Sequence, residues 1–293
     1  MIDISVPQGA ALARLSSGGI YVRTHYTVDK NKRNPEWIAA GRAAMGPREW
    51  DREMEMREDI WDGLPVFPEY IDDRHCPLEY RKKKIPVVTD RAFYVGGWDA
   101  GMTLRPAFSL WQVVYGETRL QYQIQGVLEV TTEFALPMET FAPKVNDALH
   151  THCPEIVQRI THVGDETIRQ RSGSRGETAQ MVAQEHGIFI FPMTNKWEPR
   201  KSAMQWAVNG MIDETTPRMV ICGKTMPMLR KGFQGAYCLD YKAGQVGAGG
   251  ELKMPLKNVF SHVADSAQYA MLEIKRELEA GNSGGVTQLG MSL

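Results

Sequence analysis

The sequence predicts an α/β fold in which a mixed sheet is flanked by helices. Three apolar segments of strand length come first, AFYVGGWDAG, AFSLWQVVYG and TRLQYQIQGVLEV, and Gly116-Glu117 is placed to turn the chain between the second and the third. These short connections predict an antiparallel meander. Helical and strand patterns then alternate toward the C-terminus, which is typical of one sheet with helices on its faces.

The remaining elements follow from hydrophobic periodicity, which differs between helices and strands. In order, they are a helix at Met138–His152, a strand at Ile156–His162, a helix at Thr178–Glu185, a strand in GIFIFPM, a helix at Lys201–Gly210, a strand in RMVICG and a helix at Val259–Leu278. In the last helix, Val263, Ala267 and Ile274 recur at helical spacing, so one face of it is expected to be buried.

Residues 1–90 differ in composition from the rest and are predicted to form a mainly helical N-terminal segment with a linker. A helix is expected from Pro35 to Glu58, with Asn34 as its cap and Pro35 in its first turn. The segment DGLPVFPEYIDD follows, and its two prolines and glycine favour an extended linker. The main domain is expected at residues 91–280 and a flexible tail at 281–293.

The composition is that of an ordinary globular protein, with 43% hydrophobic and 24% charged residues in a chain of 293. The formal net charge is -1, so affinity for nucleic acid has to come from local basic clusters. No apolar run approaches the roughly 18 residues of a membrane span, and the N-terminus MIDISVPQGAALARL lacks the apolar stretch of a signal peptide. A cytoplasmic location is therefore expected.

Two motifs that would indicate other ligands are incomplete in this sequence. Gly223-Lys224-Thr225 looks like the end of a P-loop, but the motif requires a glycine where this chain has Arg218, so no ATP site is expected. The four cysteines form no CxxC pair, which argues against a disulfide framework or a zinc ribbon. A zinc site of non-standard spacing would draw on His75, Cys76, His150, His152 and Cys153, and ordinary packed or surface residues are the preferred interpretation.

Three aspartates stand where chemistry is expected. Asp99 ends the first predicted strand among glycines, and Asp165 repeats the order of apolar strand, glycine and acid in IVQRITHVGDETI. These two acids are therefore expected at corresponding ends of neighbouring strands. Asp265 lies in the last helix on the same side as His262, where a carboxylate near apolar surface is costly unless it is paired or bound to metal. Each aspartate alone would be an ordinary turn or surface residue, and their recurrence predicts a site.

Three clustered carboxylates suit Mg2+ or Mn2+, and two such ions about 4 Å apart can activate water and stabilise the leaving oxygen of a phosphodiester. The predicted chemistry is metal-dependent DNA cleavage, with Glu166 and His262 as secondary candidates. Local basic clusters, although common on solvated surfaces, offer phosphate contacts. The clusters are Arg81–Lys84, Arg159 with Arg169, Arg171 and Arg175, and Lys224 with Arg230 and Lys231; Arg169, Arg171, Lys224, Arg230 and Lys231 are the predicted DNA-binding residues.

Four segments together resemble the large terminase subunit of tailed bacteriophages, the motor that packages viral DNA and then cuts it. They are GGWDAGMTLRPAFSLWQ, HVGDETIRQRSGS, PRMVICGKTMPMLRKGF and KNVFSHVADSAQYA, of which the last is the most specific. Upstream, THYTVDKNKRNPEWIAAGRAAMGPREWDREMEM and GLPVFPEY resemble the stretch that leads from the ATPase domain of a terminase into its nuclease.

The resemblance implies a ribonuclease-H-like fold, two divalent ions held by Asp99, Asp165 and Asp265, and double-stranded DNA as substrate. It also implies a portal protein, a small terminase subunit and an ATPase as partners in the cytoplasm of a bacterial host. Because a complete terminase carries Walker motifs that this chain lacks, the ATPase is on another polypeptide, the chain is a fragment, or the gene belongs to a decayed prophage. Two alternatives stay open: another ribonuclease-H-like nuclease, such as a resolvase or transposase, and a non-catalytic assembly module.

Overall fold

The computed structural model describes residues 10–14, 20–24, 26, 29–45, 50, 54, 64–100, 105–118, 120–132, 134–170, 177–239 and 254–282. Among the predicted features, Arg171, Arg175, most of the predicted helix after residue 45, and residues 283–293 of the tail lie outside these ranges. The chain divides into two compact units, Met1–Asp62 and Gly63–Leu293, and the three predicted acids belong to the second.

The described part of the first unit contains a hairpin and a short helical segment. Strands β1 (Ala10–Arg14) and β2 (Ile20–Thr24) pair in antiparallel fashion, a hairpin that the sequence analysis does not predict. A 3-10 turn at Lys30–Arg33 then leads into helix α1 (Pro35–Met45). Asn34 caps this helix as predicted, because its Oδ1 accepts a hydrogen bond from the backbone N–H of Glu36 at 2.9 Å.

The second unit is built on one six-stranded mixed sheet. Its strands are β3 (Ala92–Asp99), β4 (Ala107–Tyr115), β5 (Tyr122–Val130), β6 (Ile160–Asp165), β7 (Ile190–Met193) and β8 (Met219–Ile221). The order is β7-β6-β3-β4-β5-β8, with antiparallel pairing of β4 to both neighbours and parallel pairing elsewhere. The predicted meander is confirmed. Every strand except β4 runs in the same direction, so the C-terminal ends of five strands share one edge.

Helices cover both faces of this sheet. They are α2 (Asp72–His75), α3 (Leu78–Lys82), α4 (Met138–His152), α5 (Ala179–Glu185), α6 (Trp197–Asn209), α7 (Pro227–Lys231) and α8 (Val259–Asn282). One core joins α4 and α5 to sheet residues that include Trp98 and Phe108. The other joins α6 and α8 to the opposite face, at residues that include Val95 and Trp111.

Two element boundaries differ from the prediction. The strand predicted at Ile156–His162 begins only at Ile160, because the preceding residues form a 3-10 turn at Pro154–Arg159 with proline in its first position. The helix predicted from Lys201 begins already at Trp197. Glu198 and Pro199, which follow Trp197, both suit the first turn of a helix.

The segment predicted as a linker is irregular in backbone but contributes to the core. Val66, Phe67 and Tyr70 are buried in the same cluster as α6 and α8. Closer to β3, the side chain of Gln112 accepts a hydrogen bond from the backbone N–H of Val88 at 3.0 Å and donates one to the carbonyl of Pro86 at 2.9 Å. Residues 64–90 therefore pack as part of the second unit.

Helix α8 lies directly on the central strand at Gly97. Val95, Gly97 and Asp99 alternate onto the face of the sheet that α8 covers. A Cβ atom at Gly97 would lie 2.0 Å from the carbonyl oxygen of Ser266 in α8. The Ser266 hydroxyl also donates to Oγ of Ser109 in β4 at 3.0 Å. The absence of a side chain at Gly97 is therefore what lets the helix come this close.

Replacing Gly97 with alanine is expected to destabilise the second unit by about 1–3 kcal/mol, because the new methyl group would overlap the Ser266 carbonyl. The free energy of unfolding can be measured by denaturant titration with tryptophan fluorescence. Gly281→Ala, in helix α8, is the matched glycine control, since a Cβ there meets nothing within 4 Å, and it is expected to cause no loss. Equal stability of Gly97→Ala and the wild type would contradict this packing.

Candidate active site

The three predicted acids lie at the same edge of the sheet. Asp99 is the last residue of β3 and Asp165 is the last residue of β6. These strands are parallel neighbours, and the pairing of Trp98 with Gly164 brings the two following acids side by side. Alternation along each strand puts both side chains on the face covered by α8, which carries Asp265.

Asp99 is a buried carboxylate in contact with α8. Its Oδ2 lies 2.8 Å from Nδ1 of His262, so the structure brings this secondary candidate next to the first acid. His262 and Asp265 are one helical turn apart and face the same edge. Burial raises the pKa of Asp99, the contact with His262 opposes that rise, and the negative charge of Asp265 adds to it. Asp99 and Asp265 are thus within electrostatic range of each other.

Asp265 is enclosed by hydrogen-bond donors and is only 3% exposed. Its Oδ1 accepts from Nη1 of Arg200 at 3.3 Å and from the hydroxyl of Tyr237 at 3.1 Å. Its Oδ2 accepts from Nζ of Lys257 at 2.5 Å. A buried carboxylate needs compensating charge, and two cations supply it here. The burial that the helical pattern predicts is confirmed.

Arg200 is itself a buried cation, presented by α6. Its guanidinium carbon lies 4.6 Å from the ring centre of Tyr269, which adds a cation–π contact to its pairing with Asp265. Burial is the main cause of the raised pKa of Tyr269, against the lowering effect of Arg200. The charges of three acids raise it further: Asp165, Asp265 and Asp99. The Tyr269 hydroxyl therefore lies within electrostatic range of all three predicted acids.

The chain turns sharply after Asp165. Its Oδ1 accepts a hydrogen bond from the backbone N–H of Thr167 at 2.8 Å and caps the 3-10 turn at Glu166–Arg169. Glu166 and Arg169 are both exposed on this turn. The turn therefore leaves a second carboxylate and a cation accessible beside Asp165.

The other predicted DNA-binding residues have different surroundings. Lys224 and Lys231 are exposed. Arg230 instead donates two hydrogen bonds to the carboxylate of Asp72, at 2.9 and 2.7 Å. Its charge is therefore already matched by an acid of α2.

The Gly223–Thr225 turn after β8 does not present its polar groups as a P-loop would. The backbone N–H of Lys224 donates to the carbonyl of Tyr80 at 3.2 Å, and the Thr225 hydroxyl donates to the carbonyl of Val127. A P-loop uses such groups to bind phosphate and its metal ion. Here both are engaged within the protein.

The donor set at the acidic edge suits a hard divalent cation, since Mg2+ and Mn2+ prefer carboxylate oxygens. Among the residues that the structure describes, no three His, Cys, Asp or Glu side chains lie close enough together to hold a metal ion as they stand. At Asp265 the pairing with Arg200 and Lys257 engages both oxygens. The donor chemistry thus fits a metal ion, while protein cations are the present partners of this acid.

Three residues that surround Asp265 are not predicted from the sequence: Lys257, Arg200 and Tyr237. Arg200 belongs to a helix in which an arginine would ordinarily be assigned to the solvent face. Tyr237 is likewise distant in sequence and carries no motif. Lys257 precedes the acid within KNVFSHVAD, so proximity in sequence was the one signal available.

Comparisons with known proteins show that this chain is similar to several solved structures. No family model and no curated protein sequence matches the chain. The large terminase from a thermophilic bacteriophage is 13% identical, with 83% of this chain and 53% of that chain covered and a TM-score of 0.50. The P22 large terminase nuclease domain is 13% identical, covering 73% of this chain and 96% of that one, with a TM-score of 0.47. The large terminase nuclease domain from bacteriophage SPP1, a structure with bound Mn, is 19% identical. That match covers 67% of this chain and 94% of that one, with a TM-score of 0.40.

The fold is ribonuclease-H-like, as the resemblance in sequence implies. The mixed sheet with its antiparallel first three strands and the similarity to the terminase of the thermophilic bacteriophage both show this. The chain spans about half the length of that terminase. Within the described ranges, no helix is both long and apolar enough to cross a membrane.

The raised pKa of Asp99 predicts that Asp99→Asn stabilises the protein at neutral pH. Burial disfavours the charged carboxylate in the folded state, so folding takes up protons between the unfolded-state pKa and the higher folded-state pKa. The loss of folding stability caused by the charged Asp99 carboxylate is complete above the folded-state pKa and vanishes below the unfolded-state pKa. Denaturant unfolding in chelator, from acidic to neutral pH, should therefore show a gain that grows with pH.

The control for this titration is Asp147→Asn, on the exposed side of α4, which is expected to change stability little at any pH. A loss of stability at neutral pH in Asp99→Asn would show that the charged form of Asp99 is favoured in the folded protein, contrary to this account.

Proposed function

We propose that the chain is a divalent-metal-dependent endonuclease that cuts double-stranded DNA, and that it is the nuclease part of a large terminase. The observation that supports this proposal most is the position of Asp99 and Asp165 at adjacent strand ends under α8, with Asp265 within electrostatic range of Asp99. Acids grouped in this way suit metal-assisted hydrolysis of a phosphodiester. The similarity in fold to the thermophilic bacteriophage terminase supports the packaging setting.

Asp99, Asp165 and Asp265 are the proposed metal ligands, and Glu166 is a further candidate because it is exposed beside Asp165. Bound Mg2+ or Mn2+ would act as a Lewis acid on phosphate oxygens and lower the pKa of a water molecule. His262 orients the carboxylate of Asp99 through the contact at 2.8 Å.

The proposed DNA-contacting surface includes a lysine rim, formed by Lys82, Lys83 and Lys224. The two segments that carry these lysines are adjacent. The Cys222 thiol lies 3.5 Å from the carbonyl oxygen of Lys83, and the backbone N–H of Lys224 donates to the carbonyl of Tyr80 in α3. All three lysine side chains are exposed. Strand β8 ends at the same edge as β3, three strand spacings or roughly 14 Å away. That separation is similar to the width of a major groove, about 12 Å.

On the other side of the acids, Arg169 offers a further phosphate contact because it is exposed just after Asp165. Lys231 is exposed as well, whereas Arg230 would have to leave Asp72 to contribute. Phosphate contacts of this kind hold a duplex in register without reading its bases. The proposed nuclease would therefore show little sequence preference.

The terminase setting implies further partners and a place of action. A portal protein, a small terminase subunit and an ATPase part are the proposed partners, in the cytoplasm of a bacterial host. A non-catalytic assembly module is the second candidate function, and the pairing of Asp265 with two protein cations favours it. Cleavage by the purified chain separates the two.

With Mn2+, the wild-type chain is expected to nick supercoiled plasmid DNA, and Asp99→Ala, Asp165→Ala and Asp265→Ala are each expected to lose at least about 100-fold in rate. The reason is that each removes a metal ligand, and even the outer groups of metal sites contribute about 10- to 100-fold. Conversion of supercoiled to open circular DNA on agarose gels measures the rate. Asp147→Ala, on the exposed side of α4, is the control and should cut normally.

Absence of cleavage by the wild type with Mn2+, or equal cleavage by Asp99→Ala, would refute the nuclease proposal. The first of these results would favour the assembly module.

Replacing the three residues of the lysine rim with glutamine is expected to weaken duplex binding and flatten its dependence on salt. Each lost phosphate contact lowers the slope of log affinity against log salt by about 0.9. Fluorescence anisotropy with a labelled duplex measures both quantities, in an Asp99→Ala background that prevents cutting.

A second triple variant, Lys30→Gln, Lys144→Gln and Lys275→Gln, loses the same charge at other places on the surface. It is expected to keep the wild-type salt slope. Equal flattening in both triple variants would mean that net charge, and not the lysine rim, governs binding.

A further inference from the structure

Asp265 is shared between two cations of different character. The Arg200 side chain is 7% exposed and holds Oδ1, whereas the Lys257 side chain is 67% exposed and holds Oδ2. The carboxylate between them is 4% exposed. One oxygen therefore faces the protein interior, and the other faces a cation that reaches in from solvent.

Arg200 is fixed in place by its surroundings. It projects from α6, which packs against α8, and its guanidinium lies over the ring of Tyr269. Removal from Asp265 would leave a guanidinium unpaired in a low-dielectric environment, which is strongly unfavourable. Arg200 is thus a positioning residue for the acid under any condition in which the fold is intact.

Lys257 has no comparable restraint. It lies in the irregular segment at residues 254–258 that precedes α8, and its ammonium is largely in water. A lysine released from such a pair regains hydration and side-chain freedom, so partly exposed ion pairs are exchanged at small cost. The contact with Asp265 is therefore one that a stronger cation can displace.

We propose that Lys257 is the exchangeable counter-ion of Asp265, which neutralises Oδ2 until a divalent cation binds and then yields that oxygen to it. The inference rests on the proposed function, because it takes Asp265 as a metal ligand. Its consequence is that Lys257 lowers the affinity of the site for metal, and that metal binding frees an ammonium group at the acidic edge. The same lysine keeps a buried carboxylate stable in the absence of metal.

Mn2+ binding to the full chain tests this directly, with the free ion followed by electron paramagnetic resonance and no DNA present. Lys257→Gln is expected to tighten Mn2+ binding about threefold to fivefold, the size of effect typical of a partly exposed ion pair. Lys257→Arg keeps the charge and is expected to bind Mn2+ as the wild type does. Lys196→Gln removes an exposed lysine just after β7, at the same sheet edge, and should leave the affinity within about twofold.

A second measurement follows the lysine itself. The wild type is treated with an amine-acylating reagent with and without Mn2+, and modification is quantified by mass spectrometry of peptides. Mn2+ should increase labelling of Lys257 and leave that of Lys196 unchanged. A lysine that stays paired would show no increase.

Each outcome of these experiments has a distinct meaning. Tighter binding by Lys257→Gln together with Mn2+-dependent labelling of Lys257 supports the exchange. Measurable Mn2+ binding that is equal in Lys257→Gln and wild type, and lost in Asp265→Asn, overturns the exchange and leaves the metal site in place. Absence of Mn2+ binding in every variant overturns the proposed function and the exchange together.

Discussion

The contact between α8 and β3 at Gly97 is the constraint on which the acidic edge depends. Because no side chain separates the two backbones, the helix lies directly against the central strand where Ser266 and Ala270 face Gly97. This contact helps to bring His262 and Asp265 to the level of Asp99. The hydroxyl pair of Ser266 and Ser109 then ties the helix to the next strand, so the position of the last acid is set by backbone packing rather than by a flexible loop.

Such packing brings negative charge into a poorly solvated place, and the fold compensates in two ways. At Asp99 the neighbouring imidazole of His262 opposes the effect of burial. At Asp265 full cationic partners are present, one buried and one at the surface. The arrangement keeps two carboxylates close together in a folded protein, which like charges alone would resist. The residues that compensate these two carboxylates thus also surround the acids proposed as metal ligands.

The sequence predicts those parts of this architecture that depend on local pattern. Asp99 and Asp165 each follow an apolar strand and a glycine, and the spacing along α8 places Asp265 on the inner side of the helix. The acids and the sheet could therefore be predicted from the sequence. The position of Arg200 could not be predicted in this way, because its burial results from the packing of two helices that are distant in sequence. The segment at residues 64–70 shows the same limit, since its prolines indicate irregular backbone but not whether that backbone is covered.

That segment also bears on how a domain with this fold could pass between proteins during evolution. The composition changes near residue 90, yet the core already includes Val66 and Phe67, and Gln112 fastens residues 86–88 across the sheet. A gene fusion or exchange at the compositional boundary would leave the recipient with an open apolar face. The heritable module is therefore longer than the six-stranded sheet, and recombination that preserves it has to occur upstream, near residue 62.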